Sequence, residues 1–250
     1  MFAHTQFKYN NISSETMNVT LVKTSDGLFE QSFGYSRDIM EENVGDKFYF
    51  LGFEKQPLEF EIEISKIEQG SWTQEERRKI VQWLFTNSYK PFISMDYPNI
   101  VFYCMPVGEC SFTTNGLGDG YATITMRCNS PYAYTPVRNY HFHVEGSKDI
   151  EIFNPSNIDI NVYPTVEVKG NSDTTLKIIH KNMGGYETEL KNITQNQNIK
   201  ISGQTKQIYS NVPMLKNFNK NFMTLKCGMN RFKIQGNVDI DIRVDYPISV

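Results

Sequence analysis

The stretch Leu58-Glu59-Phe60-Glu61-Ile62-Glu63-Ile64 decides the class of fold, because apolar and acidic residues alternate in it without a break. A period of two is typical of a β-strand with one buried and one solvated face. We therefore expect the apolar side chains to enter a core and the glutamates to meet water. Paired carboxylates also occur in glycosidases, but a solvated sheet face is the favoured interpretation of these three.

One helix is predicted after this strand. Thr73 and Glu76 match the Thr-x-x-Glu capping box, in which each residue bonds to the backbone of the other. An apolar stripe at helical spacing follows, and Asn87-Ser88 and Pro91 are expected to end the helix. The stripe consists of Ile80, Val81, Trp83 and Leu84.

Most of the remaining chain favours short strands. In the first half they are expected at 17–33 (two strands around a turn at 25–27), 48–53, 100–107 and 121–128, with a Gly-rich turn at 115–120. Residues 34–47 are polar, show no clear period and are longer than a usual hairpin loop. In the second half strands are expected at 140–144, 162–168, 174–179, 198–201, 207–209, 231–234 and 238–244, separated by turns such as Gly170-Asn171, Gly184-Gly185 and Gly236-Asn237.

Two prolines, Pro131 and Pro136, interrupt the strand pattern near the middle of the chain, as a linker would. We therefore predict an N-terminal domain at 1–130, a linker at 131–136 and a C-terminal domain at 137–250. Regularly spaced strands without a helix are typical of a β-sandwich, so the second domain is predicted to be one. The fold class is mainly β with one α-helix.

Composition narrows the possible functions. The net charge is −3 and no long Lys or Arg run occurs, so a nucleic-acid-gripping surface is not expected. No apolar stretch of about 18 residues is present, so no membrane insertion is expected. The four cysteines are predicted to be reduced and mostly buried; they are Cys104, Cys110, Cys128 and Cys227.

Few side chains indicate chemistry. His141 and His143 would share one face of a strand, a pair that could hold a metal, but no third ligand lies near them in the sequence. Four tyrosines could stack on sugar rings or simply pack in the core; they are Tyr132, Tyr134, Tyr140 and Tyr163. No catalytic motif appears, so we predict no catalytic residue, no metal site and no cofactor, and an enzyme is disfavoured.

The order of features along the chain resembles the distal tail protein family of siphophages that infect Gram-positive bacteria. The resemblance spans nearly the whole chain and lies in the order of several features together. It rests on Leu51-Gly52-Phe53, the strand 58–67, the helix segment 77–84, the segment 89–96, Val101-Phe102-Tyr103, the segment 121–132 and Gly228-Met229-Asn230-Arg231-Phe232.

The resemblance implies a fold and a function. The N-terminal domain would be a β-barrel or sandwich with one helix and a protruding hairpin, and the C-terminal domain a galectin-like or carbohydrate-module-like β-sandwich. Six copies would form a ring in the virion, at the distal end of the tail, after synthesis in the host cytoplasm. The ring would join the major tail tube protein to the tail-tip or baseplate proteins and leave a channel for DNA.

The segment 34–47 falls where an arm could reach a neighbouring copy. Subunit contacts are therefore expected there, at Tyr35, Arg37, Ile39, Met40 and Val44. The C-terminal domain would carry receptor-binding or peripheral baseplate proteins. The alternative function is a carbohydrate-binding module through which the tail adheres to its host.

Overall fold

A computed structural model describes residues 6–22, 36–68, 70–114 and 120–250. The chain forms two compact units, 1–135 with 249–250, and 136–248. The described residues are mostly β-strand and contain one α-helix, which confirms the predicted fold class. The elements are β1 Phe7–Tyr9, β2 Ile12–Ser13, β3 Val19–Val22, β4 Arg37–Val44, β5 Lys47–Lys55, β6 Glu59–Lys66, α1 Gln74–Leu84, β7 Lys90–Ser94, β8 Phe102–Thr114, β9 Gly120–Cys128, β10 Ala133–Tyr134, β11 Arg138–Asn154, β12 Thr165–Gly170, β13 Thr174–His180, a 3-10 turn Lys181–Met183, β14 Tyr186–Ile193, β15 Asn198–Ser202, β16 Gln207–Ser210, β17 Gly228–Val244 and β18 Pro247–Ile248.

The first unit is built on an antiparallel sheet with the strand order β2-β1-β7-β8-β9-β6-β3. Within it β6 lies between β9 and β3, and Ile62 sits opposite Ile124. Ile62 and Ile64 are buried, while Glu59 and Glu61 are exposed. The predicted faces of this strand are therefore confirmed. The second half of the predicted pair at 17–33 lies outside the described residues, as does the turn at 115–119.

Helix α1 covers the apolar side of this sheet. Its capping box is present, with the Glu76 amide donating to Thr73 Oγ1 over 3.2 Å and the Thr73 amide to Glu76 Oε2 over 2.7 Å. Its buried residues are Ile80, Trp83 and Leu84, and the Trp83 indole N–H donates to the Tyr9 carbonyl over 3.0 Å.

One member of the predicted stripe was wrong, because Val81 is 52% exposed. A residue follows its neighbour by about 100° around a helix, so Val81 lies outside the arc that Ile80, Trp83 and Leu84 define. The helix also ends earlier than expected, at Leu84, and Pro91 belongs to β7.

The second unit is organised around β17, which pairs with β11 along its whole length. On the other side of β17, 232–235 pair with β13 and 238–243 pair with β12. Strand β14 extends the first group, and β15 and β16 extend the second. Both groups bury side chains in one core, among them Leu176 and Val166. The galectin-like form that the resemblance implies stays a prediction.

The predicted turn at Gly236-Asn237 was wrong, because β17 runs through it without a break. Gly236 lies opposite Gly146 of β11, and both glycines have positive φ, 142° and 72°. Glycine adopts such angles at little cost, so a strand can bend there and keep its pairing. Strand β14 was not predicted.

The cysteine prediction was half right. Cys104 and Cys128 are buried opposite each other in β8 and β9, whereas Cys110 and Cys227 are exposed, and all four are free thiols. Burial, followed by the neighbouring Cys128, raises the pKa of the Cys104 thiol well above its usual value. In the described part of the chain, no helix is long and apolar enough to cross a membrane.

Candidate functional site: an exposed apolar hairpin

Strands β4 and β5 form a two-stranded sheet of their own, paired from Arg37 opposite Lys55 to Val44 opposite Lys47. Gly45, with φ 66°, turns the chain between them. Every residue of β4 is exposed, and in β5 only Gly52 and Lys55 are partly buried. We call this element, residues 37–55, the hairpin.

A β-bulge sorts the apolar side chains of the hairpin onto its two faces. Gly52 pairs with Met40 and Phe50 pairs with Glu41, which leaves Leu51 without a partner. The extra residue brings Phe50 and Phe53, three positions apart, onto the same face, where their ring centroids are 6.5 Å apart. By the same alternation Ile39 and Phe48 share this face, while Met40, Val44 and Tyr49 lie on the other.

These side chains meet solvent. Phe48 is 69% exposed, Phe50 is 63% and Leu51 is 65%. Scattered exposed apolar residues are ordinary, but a contiguous group of them is typical of a protein–protein contact surface. Both long edges of the hairpin also lack a strand neighbour among the described residues, and a free edge readily pairs with another chain.

Hydrogen bonds close the base of the hairpin, and Lys55 joins that base to the rest of the first unit. The Gln56 amide donates to the Ser36 carbonyl over 2.9 Å, and the Gln56 side chain donates to Asp38 Oδ2 over 2.7 Å. Lys55 donates to the Tyr132 hydroxyl, and its Nζ lies 5.1 Å from the centre of that ring. The apolar face is therefore presented from an anchored base.

Two protein-family models match almost the whole chain. Residues 2–130 match the family model described as a phage tail protein N-terminal domain, and residues 132–244 match one described as a phage tail C-terminal domain. The chain belongs to this phage tail protein family.

A relative of this tail protein is the SPbeta prophage-derived uncharacterized protein YomH of Bacillus subtilis (strain 168). It is 27% identical over 249 residues, covering 96% of each chain. Two solved structures share the fold. The SPP1 Dit protein, described as a paradigm of the hub adsorption apparatus in phages infecting Gram-positive bacteria, has TM-score 0.66 at 12% identity, covering 96% of this chain and 98% of its own. A chain of the phage P2 baseplate in its activated conformation has TM-score 0.57 at 10% identity, covering 95% and 97%.

The predicted contact residues can now be located in the tail protein. Arg37, Ile39, Met40 and Val44 all lie on β4 and are exposed, while Tyr35 lies outside the described residues. Their role in assembly stays a prediction.

Sequence reasoning missed the aromatic half of this surface. The run Phe48-Tyr49-Phe50-Leu51 was interpreted as a second aromatic strand, and it is a strand, but a strand outside the core. The signal was present in the sequence: four successive large apolar residues cannot all face one core in a strand of period two.

The two candidate histidines lie on the sheet of the second unit, each beside an aspartate. His141 Nδ1 is 2.8 Å from Asp241 Oδ1, and His143 Nδ1 is 2.5 Å from Asp239 Oδ1. Asp239, followed by Glu145, raises the pKa of His143. Among the residues that the structure describes, no three His, Cys, Asp or Glu side chains are grouped to hold a metal ion.

The four candidate tyrosines are engaged within the protein. Tyr132 is buried against Lys55, and Tyr134 packs on Tyr103 with ring centroids 5.4 Å apart. Tyr140 has its hydroxyl 3.4 Å from that of Tyr246, and Tyr163 lies under the Lys206 ammonium.

Proposed function

We propose that this tail protein is a distal tail hub, of which six copies form a ring. The ring stands at the distal end of a siphophage tail, joins the major tail tube protein to the tail-tip or baseplate proteins, and leaves a channel for DNA. Both units of the chain share the fold of the SPP1 hub protein over nearly its whole length, which supports this role.

The exposed apolar face of the hairpin is the observation that carries the proposal. A closed ring needs a heterologous interface, in which one patch of each copy meets a different patch of the next. The hairpin offers such a patch, and its phenylalanines belong to the aromatic class that is enriched in the cores of interfaces. A neighbouring copy would bury Phe48, Phe50 and Phe53 and remove their contact with water.

The two units would divide the work. Residues 1–130 would build the ring, 131–136 would link the units, and 137–250 would stand outside the ring and carry peripheral or receptor-binding proteins. The net charge of −3 fits a channel that DNA passes through without being held by its phosphates. The role is structural, and no catalytic step is part of it.

The first test is the mass of the purified chain by light scattering after size exclusion, over a range of concentrations. We expect six times the chain mass, or twelve times for two stacked rings. A monomer at every concentration, also when the tail tube and tail-tip proteins are added, would contradict the proposal.

The hairpin can be removed with little damage to the fold. Ser36 and Gln56 already meet through a 2.9 Å hydrogen bond, so a Gly-Gly link can replace residues 37–55. A shorter deletion, of 36–46, would remove β4 and leave β5 unpaired. We expect the longer deletion to leave the far-ultraviolet circular dichroism of a folded β protein and to abolish the ring. Normal rings from this variant would show that the interface lies elsewhere.

A further inference from the structure

The sheet of the second unit has three outer edges; a backbone segment covers the edge along β14, and a lysine side chain caps one carbonyl of the edge along β11. Along β14, the Lys191 amide donates to the Asn217 carbonyl over 2.9 Å, and the Asn219 amide donates to the Glu189 carbonyl over 3.1 Å. Along β11, Lys148 Nζ donates to the His143 carbonyl over 3.2 Å. Covering segments and charged side chains are the usual protection against pairing with other chains.

The third edge, along β16, is left open. Strand β16 pairs with β15 from Ser202 opposite Gln207 to Ile199 opposite Ser210. In the described chain, no other backbone group bonds to the backbone of β16. Its outward N–H and C=O groups are therefore available to an added strand.

An apolar groove of about 560 Å³ adjoins this edge. The five consecutive residues 206–210 form one wall, and Val212, Met214, Leu215 and Phe218 lie among the residues of the other. Since successive strand residues point to opposite faces, a groove touched by all of them runs along the edge and not over one face. Tyr209 is 51% exposed and Leu215 is 62% exposed, so the groove is open to a ligand.

The charges in the groove are all of one sign. Its lining contains Lys206 and Lys220 and no Asp or Glu. Neither lysine forms a salt bridge with any residue of the described ranges. The Lys206 ammonium lies 3.0 Å from the centre of the Tyr163 ring and 4.9 Å from that of Phe222, and burial lowers its pKa. A carboxylate brought to this site would favour the charged ammonium.

We propose that an extended, acidic segment of another tail protein binds here by adding a strand to β16. Backbone hydrogen bonds to the open edge hold the segment, its apolar side chains fill the groove beside Leu215, and its carboxylates face Lys206 and Lys220. Strand addition of this kind takes affinity from the backbone and specificity from alternate side chains. The inference rests on the chain being a tail component, and it does not depend on a ring.

The test is selection of a random dodecapeptide library against the full chain, followed by fluorescence anisotropy with the enriched peptide. We expect acidic, apolar peptides. We expect the double variant Lys206→Glu, Lys220→Glu to weaken their binding at least about tenfold. The two substitutions replace attraction between lysines and peptide carboxylates by repulsion between like charges. The matched control is Lys169→Glu, an exposed lysine on β12 outside the groove, which should bind normally.

Two further readouts separate strand addition from other modes of binding. Binding should slow the hydrogen exchange of the amides in 207–210, and N-methylation of the peptide backbone should abolish binding. No enriched acidic peptide, or enriched peptides that bind the double variant equally well, would overturn the proposal. So would groove-dependent binding of heparin in place of peptide, or loss of the ring in Leu215→Asp, which would assign the groove to a polyanion or to a second copy. A normal peptide result with a monomeric chain would contradict only the ring.

Discussion

The hairpin and strand β6 belong to the same unit and both carry large apolar side chains, but they bury them very differently. In β6, Ile62 is 2% exposed, because α1 and the neighbouring strands cover it. In β5, Phe50 is 63% exposed. An apolar strand face is buried only where another element packs on it: α1 packs on β6, whereas no described residue of this chain packs over the apolar face of the hairpin.

Shortening a buried side chain of β6 should have the largest effect of these changes on stability. Ile62→Ala leaves a cavity in the core of the first unit, and we expect it to lower the free energy of unfolding by about 2–5 kcal/mol. Urea unfolding followed by tryptophan fluorescence measures the loss. Glu61→Ala, one position away on the exposed face, is the control and should cost little. A loss for Ile62→Ala well below about 1 kcal/mol would show that the packing of β6 is misassigned.

Shortening an exposed side chain of the hairpin should weaken assembly and leave the stability of the fold almost unchanged. Phe50→Ala should change the free energy of unfolding of the unassembled chain by less than about 0.5 kcal/mol, as for other surface positions. It should weaken the contact between copies by about 2 kcal/mol or more, as for an aromatic anchor of an interface. Light scattering over a dilution series measures this.

Phe153→Ala provides a matched control for Phe50→Ala. Phe153 is an exposed phenylalanine of β11, in the second unit, and 52% of it is exposed. If both variants weaken assembly alike, the hairpin has no special role. If Phe50→Ala unfolds the chain instead, Phe50 contributes to the stability of the fold and is not a free interface residue.

The helix that packs over β6 can also be destabilised by a substitution outside the core. Thr73→Ala removes the side-chain acceptor of the capping box at the start of α1 and should cost about 1 kcal/mol. Thermal unfolding measures the change, and Thr73→Ser, which keeps the hydroxyl, should restore stability. Equal stability of Thr73→Ala and the unchanged chain would mean that the cap adds nothing to the packing of α1 on the sheet.

Low pH should also weaken the packing of helix α1 over β6, because it protonates a carboxylate at the start of the helix. The Lys66 ammonium, 2.7 Å away, and the Thr73 amide lower the pKa of Glu76 from 4.5 to about 2. Because the folded chain holds this carboxylate ionised, its stabilising contribution is complete above pH 4.5 and is lost as the pH falls towards 2. Glu76→Gln should therefore flatten the dependence of the melting temperature on pH in this window. An unchanged dependence would assign the acid sensitivity to other carboxylates.

Local patterns predicted a good part of the fold. The alternation in β6 predicted the strand and its buried Ile62 and Ile64, and the capping box predicted the start of α1, since each depends on neighbours within a few positions of the chain. The prediction for Val81 was wrong because, at about 100° per residue, Val81 lies outside the arc of the helix that Ile80, Trp83 and Leu84 define. The predicted turn at Gly236 was wrong because a glycine with positive φ can bend a strand as well as end it. Only the pairing with β11 shows which of the two occurs.

The candidate site was predicted less completely. Residues 37, 39, 40 and 44 were predicted to belong to an arm, but residues 48–53 were predicted only as a strand and not as part of a contact surface. The sequence does not reveal that β5 pairs with β4 alone. Nor does it reveal that the bulge at Leu51 places Phe50 and Phe53 on one face.

The mainly β class, the helix with its cap and the faces of β6 can all be predicted from the amino-acid sequence, because side-chain period and capping are local properties. The three-dimensional fold is needed to learn which apolar strands are covered, that β17 is one bent strand and that the outer edge of β16 has no backbone partner in the described chain. These depend on contacts between segments far apart in the chain. Pairing of that kind is set by the shape of the whole sheet and not by any short stretch of residues.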